Sequence, residues 1–114
     1  MVARKYVPDT LDIVWLDFEP AKGREMAKVR PAFVLSPKKY NERAELILVC
    51  PITSASKEYP FEVSINTSKI SGVILADQIR SVSWPARNVR FIDKASVKVL
   101  EEIKVKLNPL LAIH

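Results

Sequence analysis

Over most of the chain the apolar positions fall into short runs bounded by turn residues, the pattern of strands rather than of long helices. Residues 12–18 (DIVWLDF) are rich in β-branched and aromatic types, with apolar side chains on both faces. Residues 32–36 and 46–52 (LILVCPI) are continuous apolar runs, as expected of strands covered on both sides. Along residues 61–65 the pattern alternates, with Phe61, Val63 and Ile65 on one face and Glu62 and Ser64 on the other. Gly72 introduces a longer apolar run, 73–82, interrupted by Asp77, Gln78 and Arg80, and a further short strand is expected at 89–92. Five or six short strands in about 80 residues predict a mainly β fold with some helix, a small closed or half-closed barrel.

Two helices are expected beside the strands. Residues 37–43 (PKKYNER) suit a short one, with Pro37 at an early position where its missing N–H costs nothing. In the C-terminal segment Val97, Leu100, Ile103, Leu107 and Leu111 recur at spacings of three and four, behind Asp93 or Ser96 as cap. Glu102 and Lys106 form an outward i,i+4 pair, and Pro109 removes a hydrogen bond to Val105, so a bend or stop is expected there. This helix closes one end of the barrel.

Length and composition narrow the chemistry. The 114 residues suit one domain over 1–114 with one modest core. There is one histidine, His114, and one cysteine, Cys50. A Cys/His zinc site within one chain and an internal disulfide are therefore excluded. A lone terminal imidazole also argues against Ser-His-Asp, Cys-His and two-histidine mechanisms. Chemistry here falls to carboxylates, guanidiniums and hydroxyls. The longest uncharged stretch has 11 residues, short of the roughly 20 that span a bilayer. Asp9, Asp12 and Asp17 interrupt any apolar signal region, so a soluble protein of the reducing cytoplasm, with no membrane contact, is expected.

The net charge of +5 is concentrated locally. Residues 19–30 (EPAKGREMAKVR) separate the first two strands and hold six charges, of which Lys22, Arg24, Lys28 and Arg30 are basic. A connection of that length is unusual for a hairpin. Its cations suit a phosphate chain, although a solvated mobile loop has the same composition. Arg30 stands immediately before the run PAFVL, at the root of a strand, where a guanidinium can present a fixed fork to a phosphate or pair with a nearby carboxylate. Thr53 and Ser54 follow the buried run 46–52, and their hydroxyls can donate to a phosphoryl oxygen or bond their own turn. Asp77 and Gln78 are polar within VILADQIRSV, facing a site or satisfying each other structurally, and Arg80 adds a cation there.

Read together, the segments DIVWLDFEPAK (12–22), GREMAKVRPAFVLSP (23–37), Tyr40-Asn41, PITS (51–54), YPFEV (59–63) and GVILADQIRS (72–81) resemble the MazF/PemK toxins, the ribonuclease halves of bacterial toxin–antitoxin pairs. R-P-A-x-V-L-S-P followed by P-x-T-S is the most specific part, and the likeness runs from about Tyr6 to the C-terminal helix. The resemblance implies an SH3-like barrel with a C-terminal helix, a homodimer, and cleavage of single-stranded RNA at short motifs without metal or other cofactor. It places the family's catalytic arginine on Arg30, its threonine on Thr53, an acidic loop residue on Glu25 and a further aspartate on Asp77. Close relatives can carry histidine just before that arginine, where this chain has Val29.

Such a ribonuclease uses the substrate's own 2′-OH, leaving a cyclic phosphate and a free 5′-OH. Glu25 is the base, Arg30 the clamp on the dianionic phosphorane, and Thr53 a hold on a phosphoryl oxygen. Lys22, Arg24, Lys28, Ser54, Asp77, Gln78 and Arg80 form the expected RNA-binding set. Trp84, Phe18 and Tyr59 are candidates to stack unpaired bases. The expected partner is a cognate antitoxin with an acidic flexible tail. Two alternatives stand beside this reading: a gyrase poison of the CcdB type, and an RNA-binding barrel that cuts nothing.

Overall fold

The computed structural model describes residues 5–19 and 28–112. Among them the elements run β1 (Asp12–Glu19), β2 (Lys28–Val34), α1 (Lys38–Ala44), β3 (Leu46–Thr53), β4 (Glu62–Asn66), β5 (Ser71–Leu75), β6 (Arg80–Ser83), β7 (Arg90–Lys94) and α2 (Val97–Leu111). The strands form one antiparallel sheet in the order β4-β5-β3-β2-β1-β7, and β6 also pairs with β3.

Alternation along the central strands divides the interior in two. Ile13, Phe33, Cys50 and Ile52 point to one side, where they meet β4, β5 and Ile103 of α2. Val14, Leu16, Ala32, Val34, Ile47 and Val49 point to the other, where Val82 and Trp84 close over them. The continuous apolar runs of β2 and β3 follow from this, because both faces are covered.

Three local expectations change. The strand expected from Ala32 begins at Lys28, so Arg30 lies within β2, paired with Leu16, rather than before it. The apolar run 73–82 is two strands, not one. Ile52 faces Ile74 while Val49 faces Arg80, so three steps along β3 match six along its neighbour, and the surplus loops out around Asp77 and Gln78. A bulge of this kind re-aims side chains that a regular ladder would hold in register. Finally, α2 runs past Pro109 to Leu111. The proline sits in the last turn, where the single bond it removes is followed by almost no helix.

The ends of α2 also differ from expectation in detail. Ser96 occupies the N-cap position without a side-chain capping bond, while Asp93 lies in β7 and accepts the Lys94 amide. Lys106 donates to the Pro60 carbonyl at 2.6 Å, and an ion pair on the helix joins Lys104 to Glu101. The segment before β1 is tied down by buried polar groups. Asp12 accepts from Tyr6, the Asp9 amide and Lys94, and Asn41 donates to the carbonyls of Pro8 and Ser36.

Candidate active site

Pro51 shapes the site. It supplies no N–H to the ladder, and the β2–β3 pairing ends at Ala32 and Pro51. Beyond it β3 stays paired with β5 on its other edge, through Ile52 with Ile74 and Thr53 with Val73. β2 stays paired with β1. The two strands part, and the notch between them opens into a cavity of about 510 Å³.

Arg30, Thr53, Ala55, Lys57, Tyr59 and Gln78 are among the residues lining that cavity, with Glu62, Leu75 and Asp77. Arg30 comes from β2, Thr53 from the end of β3, Asp77 and Gln78 from the bulge between β5 and β6. The Thr53 hydroxyl oxygen accepts the Ala55 amide at 3.2 Å, which leaves its hydrogen to donate. A second cavity of about 240 Å³ shares Arg30 and Gln78 with the first and is otherwise lined by Phe18, Lys28, Pro51 and Arg80. The Arg80 guanidinium lies 5.3 Å over the Phe18 ring, a cation–π contact. Arg30 and Gln78 thus stand on the divide between two adjoining hollows.

Glu62 forms part of the larger cavity's wall and binds the loop above it. Its carboxylate accepts the Ser56 hydroxyl at 2.6 Å and the Lys57 amide at 2.9 Å. The Ser56 bond and then the Lys57 amide hold this carboxyl below the usual carboxylate range, so it remains an anion and a poor general base. Cys50, behind the site, is the opposite case. Burial, with the Asp77 charge adding to it, pushes the thiol up to about 12 and leaves it neutral.

The structure brings Arg30, Thr53, Asp77 and Gln78 to the larger cavity and places Lys28 and Arg80 on the smaller one. Ser54 is exposed just beyond Thr53 and lines neither. Glu25, Lys22 and Arg24 lie outside the described residues. Of the aromatic candidates, Tyr59 is 51% exposed on the cavity wall, whereas Phe18 and Trp84 are buried. Trp84 is a core residue, its indole N–H bonded to the Asn41 carbonyl. Lys57 and Glu62 line the cavity although the sequence alone does not mark them as functional. In the sequence Glu62 shows only as a polar place in the alternation of residues 61–65 and as part of the segment YPFEV. Among the described residues no group of three or more His, Cys, Asp or Glu side chains is placed to hold a metal ion, and no helix is long and apolar enough to cross a membrane.

Residues 9–111 match the family described as PemK-like, MazF-like toxin of type II toxin–antitoxin systems. The chain is 46% identical over 111 residues to the endoribonuclease toxin MazF of Escherichia coli K12, covering 97% of this chain and 99% of that one. It is 34% identical over 102 residues to the endoribonuclease toxin ChpB of the same organism, covering 84% and 87%. Among solved structures, MazF in a MazE–MazF crystal of Deinococcus radiodurans superposes with a TM-score of 0.89 at 44% identity, over 96% of this chain and all of that one. A mycobacterial endoribonuclease solved with its cognate antitoxin has a TM-score of 0.74 at 14% identity over 96% of this chain and 98% of that one, a likeness of fold.

Proposed function

Because the chain belongs to the PemK-like, MazF-like toxins of type II toxin–antitoxin systems, we propose that the cavity around Arg30 and Thr53 is where it cuts RNA. The protein is an endoribonuclease toxin whose cognate partner is an antitoxin protein. The observation that carries the assignment of the site is the meeting of Arg30 and Thr53, from two different strands, on one open cavity.

In the proposed reaction the substrate's 2′ oxygen bonds to the adjacent phosphorus and the bond from phosphorus to the 5′ oxygen breaks. Arg30 presents a planar fork to the non-bridging oxygens, which gain charge in the phosphorane. Thr53 donates its hydroxyl hydrogen to one of them. Glu25 takes the 2′-OH proton, and the leaving 5′ oxygen takes one from water, since a guanidinium holds its protons too tightly to be a good acid. The products are a 2′,3′-cyclic phosphate and a 5′-OH end. With no imidazole tuned near neutrality, turnover is slow and selective binding carries more of the work.

Single-stranded RNA lies across the divide formed by Arg30 and Gln78, with a nucleotide in each hollow. The larger offers the exposed Tyr59 ring for stacking, and Lys57 and Gln78 to meet polar edges. Lys28 and Arg80 flank the smaller and neutralise backbone charge, helped by Lys22 and Arg24. An acidic segment of the antitoxin competes for the same cations. One toxin domain over residues 1–114, paired as a homodimer in the cytoplasm, completes the reading.

Incubating the protein with mixed-sequence single-stranded RNA in EDTA tests it. Cleavage with 5′-OH ends is expected, blocked by a 2′-deoxy residue at the cut. Cutting that continues through the 2′-deoxy position would sink the mechanism.

A further inference from the structure

Residues 54–60 form a loop without helix or strand, yet they supply Ala55, Lys57 and Tyr59 to the larger cavity. Arg30 and Thr53 stand instead on strands of the sheet. A loop that selects RNA bases has to be held still, because ordering it at each binding event would weaken the complex. The ends of the 54–60 loop are tied by Thr53, which accepts the Ala55 amide, and by Lys106, which donates to the Pro60 carbonyl; the bonds that hold its middle converge on a single side chain.

Glu62 is the first residue of β4 and is fixed by its pairing with Leu75 of β5. One oxygen of its carboxylate accepts the Ser56 hydroxyl, the other accepts the Lys57 amide. The Ser56 oxygen accepts the Glu58 amide in turn, at 3.2 Å. Glu58 has φ 54, a left-handed conformation that a non-glycine residue keeps only with support from its surroundings. The Glu62 amide itself donates to the Tyr59 carbonyl at 3.0 Å, closing the loop at its far end. Both carboxylate oxygens are thus engaged by the loop.

We infer that Glu62 is a positioning residue, a latch that sets the 54–60 loop in its RNA-binding conformation and so governs which sequences are cut. The inference rests on the reading of this cavity as the RNA site. Glu62 acts through Ser56 and Lys57 and takes no part in proton transfer or phosphoryl contact. Its loss therefore frees the recognition loop while Arg30 and Thr53 keep their places.

The test uses a short single-stranded RNA carrying a cut site mapped with the wild-type protein, and the same RNA with one flanking base changed. For Glu62→Ala, KM on the first RNA rises about tenfold, kcat stays within about twofold, and discrimination between the two RNAs falls. Glu62→Gln, which keeps one carbonyl acceptor, and Ser56→Ala lie between the wild type and Glu62→Ala, and they carry the test should Glu62→Ala fail to fold. Without RNA, the Lys57 amide exchanges with solvent deuterium at least about tenfold faster in the variants, while protection in β3 is unchanged. Wild-type kinetics in the variants, a fall confined to kcat, or unaltered exchange at Lys57 overturns the latch. A wild-type protein that cuts no RNA overturns the reading of the site instead, and the exchange measurement still decides the latch.

Discussion

Arg30 and Thr53 belong to neighbouring strands that stop hydrogen-bonding to each other just short of them. The β2–β3 ladder ends at Ala32 and Pro51, and the same register continued for two residues would set Arg30 opposite Thr53. In a closed ladder the two backbones would lie side by side. Here the sheet has opened, each strand is held by its other neighbour, and both residues line the cavity between them. A fixed separation built on sheet backbone suits a task that is largely the stabilisation of developing charge.

Arg30→Ala is therefore expected to abolish most cleavage and to leave the fold intact. Its side chain is exposed and belongs to neither buried cluster, so its truncation leaves no hole in the core. Removing a preorganised donor to a transition-state oxyanion costs about 10²–10³ in kcat. Arg30→Lys is expected to recover little, because an ammonium cannot present two parallel N–H groups to one phosphate. Initial rates on a single RNA, with thermal melting of each variant, check both statements.

Much of this arrangement is legible in the sequence, and the parts that are not share a cause. The apolar runs of β2 and β3 announce strands buried on both faces, and the spacing from Val97 to Leu111 announces α2. Arg30 and Thr53 are singled out only by the resemblance of the motif around them, since composition does not tell a phosphate clamp from an ordinary strand-end arginine. The break at residues 76–79 is hidden, because a bulge depends on the pairing register with β3 and register is a tertiary property. Glu62 is hidden for the same reason: its polar place in an alternating strand reads as solvent exposure, and only the folded loop brings Ser56 and Lys57 to it. Trp84 shows the reverse error, an aromatic suited to stacking that the core claims.

Asn41 is the buried polar residue on which the α1 side of the molecule depends. It is fully buried, accepts the Ser36 hydroxyl through Oδ1, and donates through Nδ2 to the carbonyls of Pro8 and Ser36 at 2.8 and 2.9 Å. Asn41→Ala removes all three partners at once and leaves buried groups unpaired, a loss of about 3 kcal/mol. Asn41→Leu is expected to be no better, since the carbonyls stay buried and unmet. Urea unfolding midpoints measure the cost. RNA cleavage by the fraction that remains folded is expected to be close to that of the wild type, because Asn41 is not among the residues lining either cavity of the site.

Cys50 is expected to be inert while the protein is folded. It is buried, 3.8 Å from the Ala76 carbonyl, and its thiol is pushed up to about 12. Iodoacetamide at pH 8 should leave the native protein unlabelled and label it fully in urea. The same shift has a sign for stability. The folded state disfavours the thiolate, so its contribution is complete below the pKa of about 8.5 for a free thiol and is lost progressively as pH rises from there towards 12. Labelling of native protein at pH 8 at the rate of a free thiol would show that Cys50 is reached without unfolding.

Gly72 is tied to the candidate site by close packing against Thr53. A Cβ placed on it would lie 2.5 Å from the Thr53 carbonyl oxygen and 3.2 Å from its carbonyl carbon. Both are backbone atoms of the strand end that carries the Thr53 hydroxyl, so no side-chain rotation can relieve the contact. Gly72→Ala must push β5 away from β3 or displace Thr53. Overpacking of this kind costs roughly 1–3 kcal/mol, and a displacement of Thr53 also costs transition-state stabilisation, where about 1 Å of misplacement can lower a rate about 10²-fold. The expected signature is a fall in kcat larger than that of a stability-matched variant such as Asn41→Ala, both measured well below their melting temperatures. Equal residual rates in the two variants would mean that β5 yields and Thr53 keeps its position.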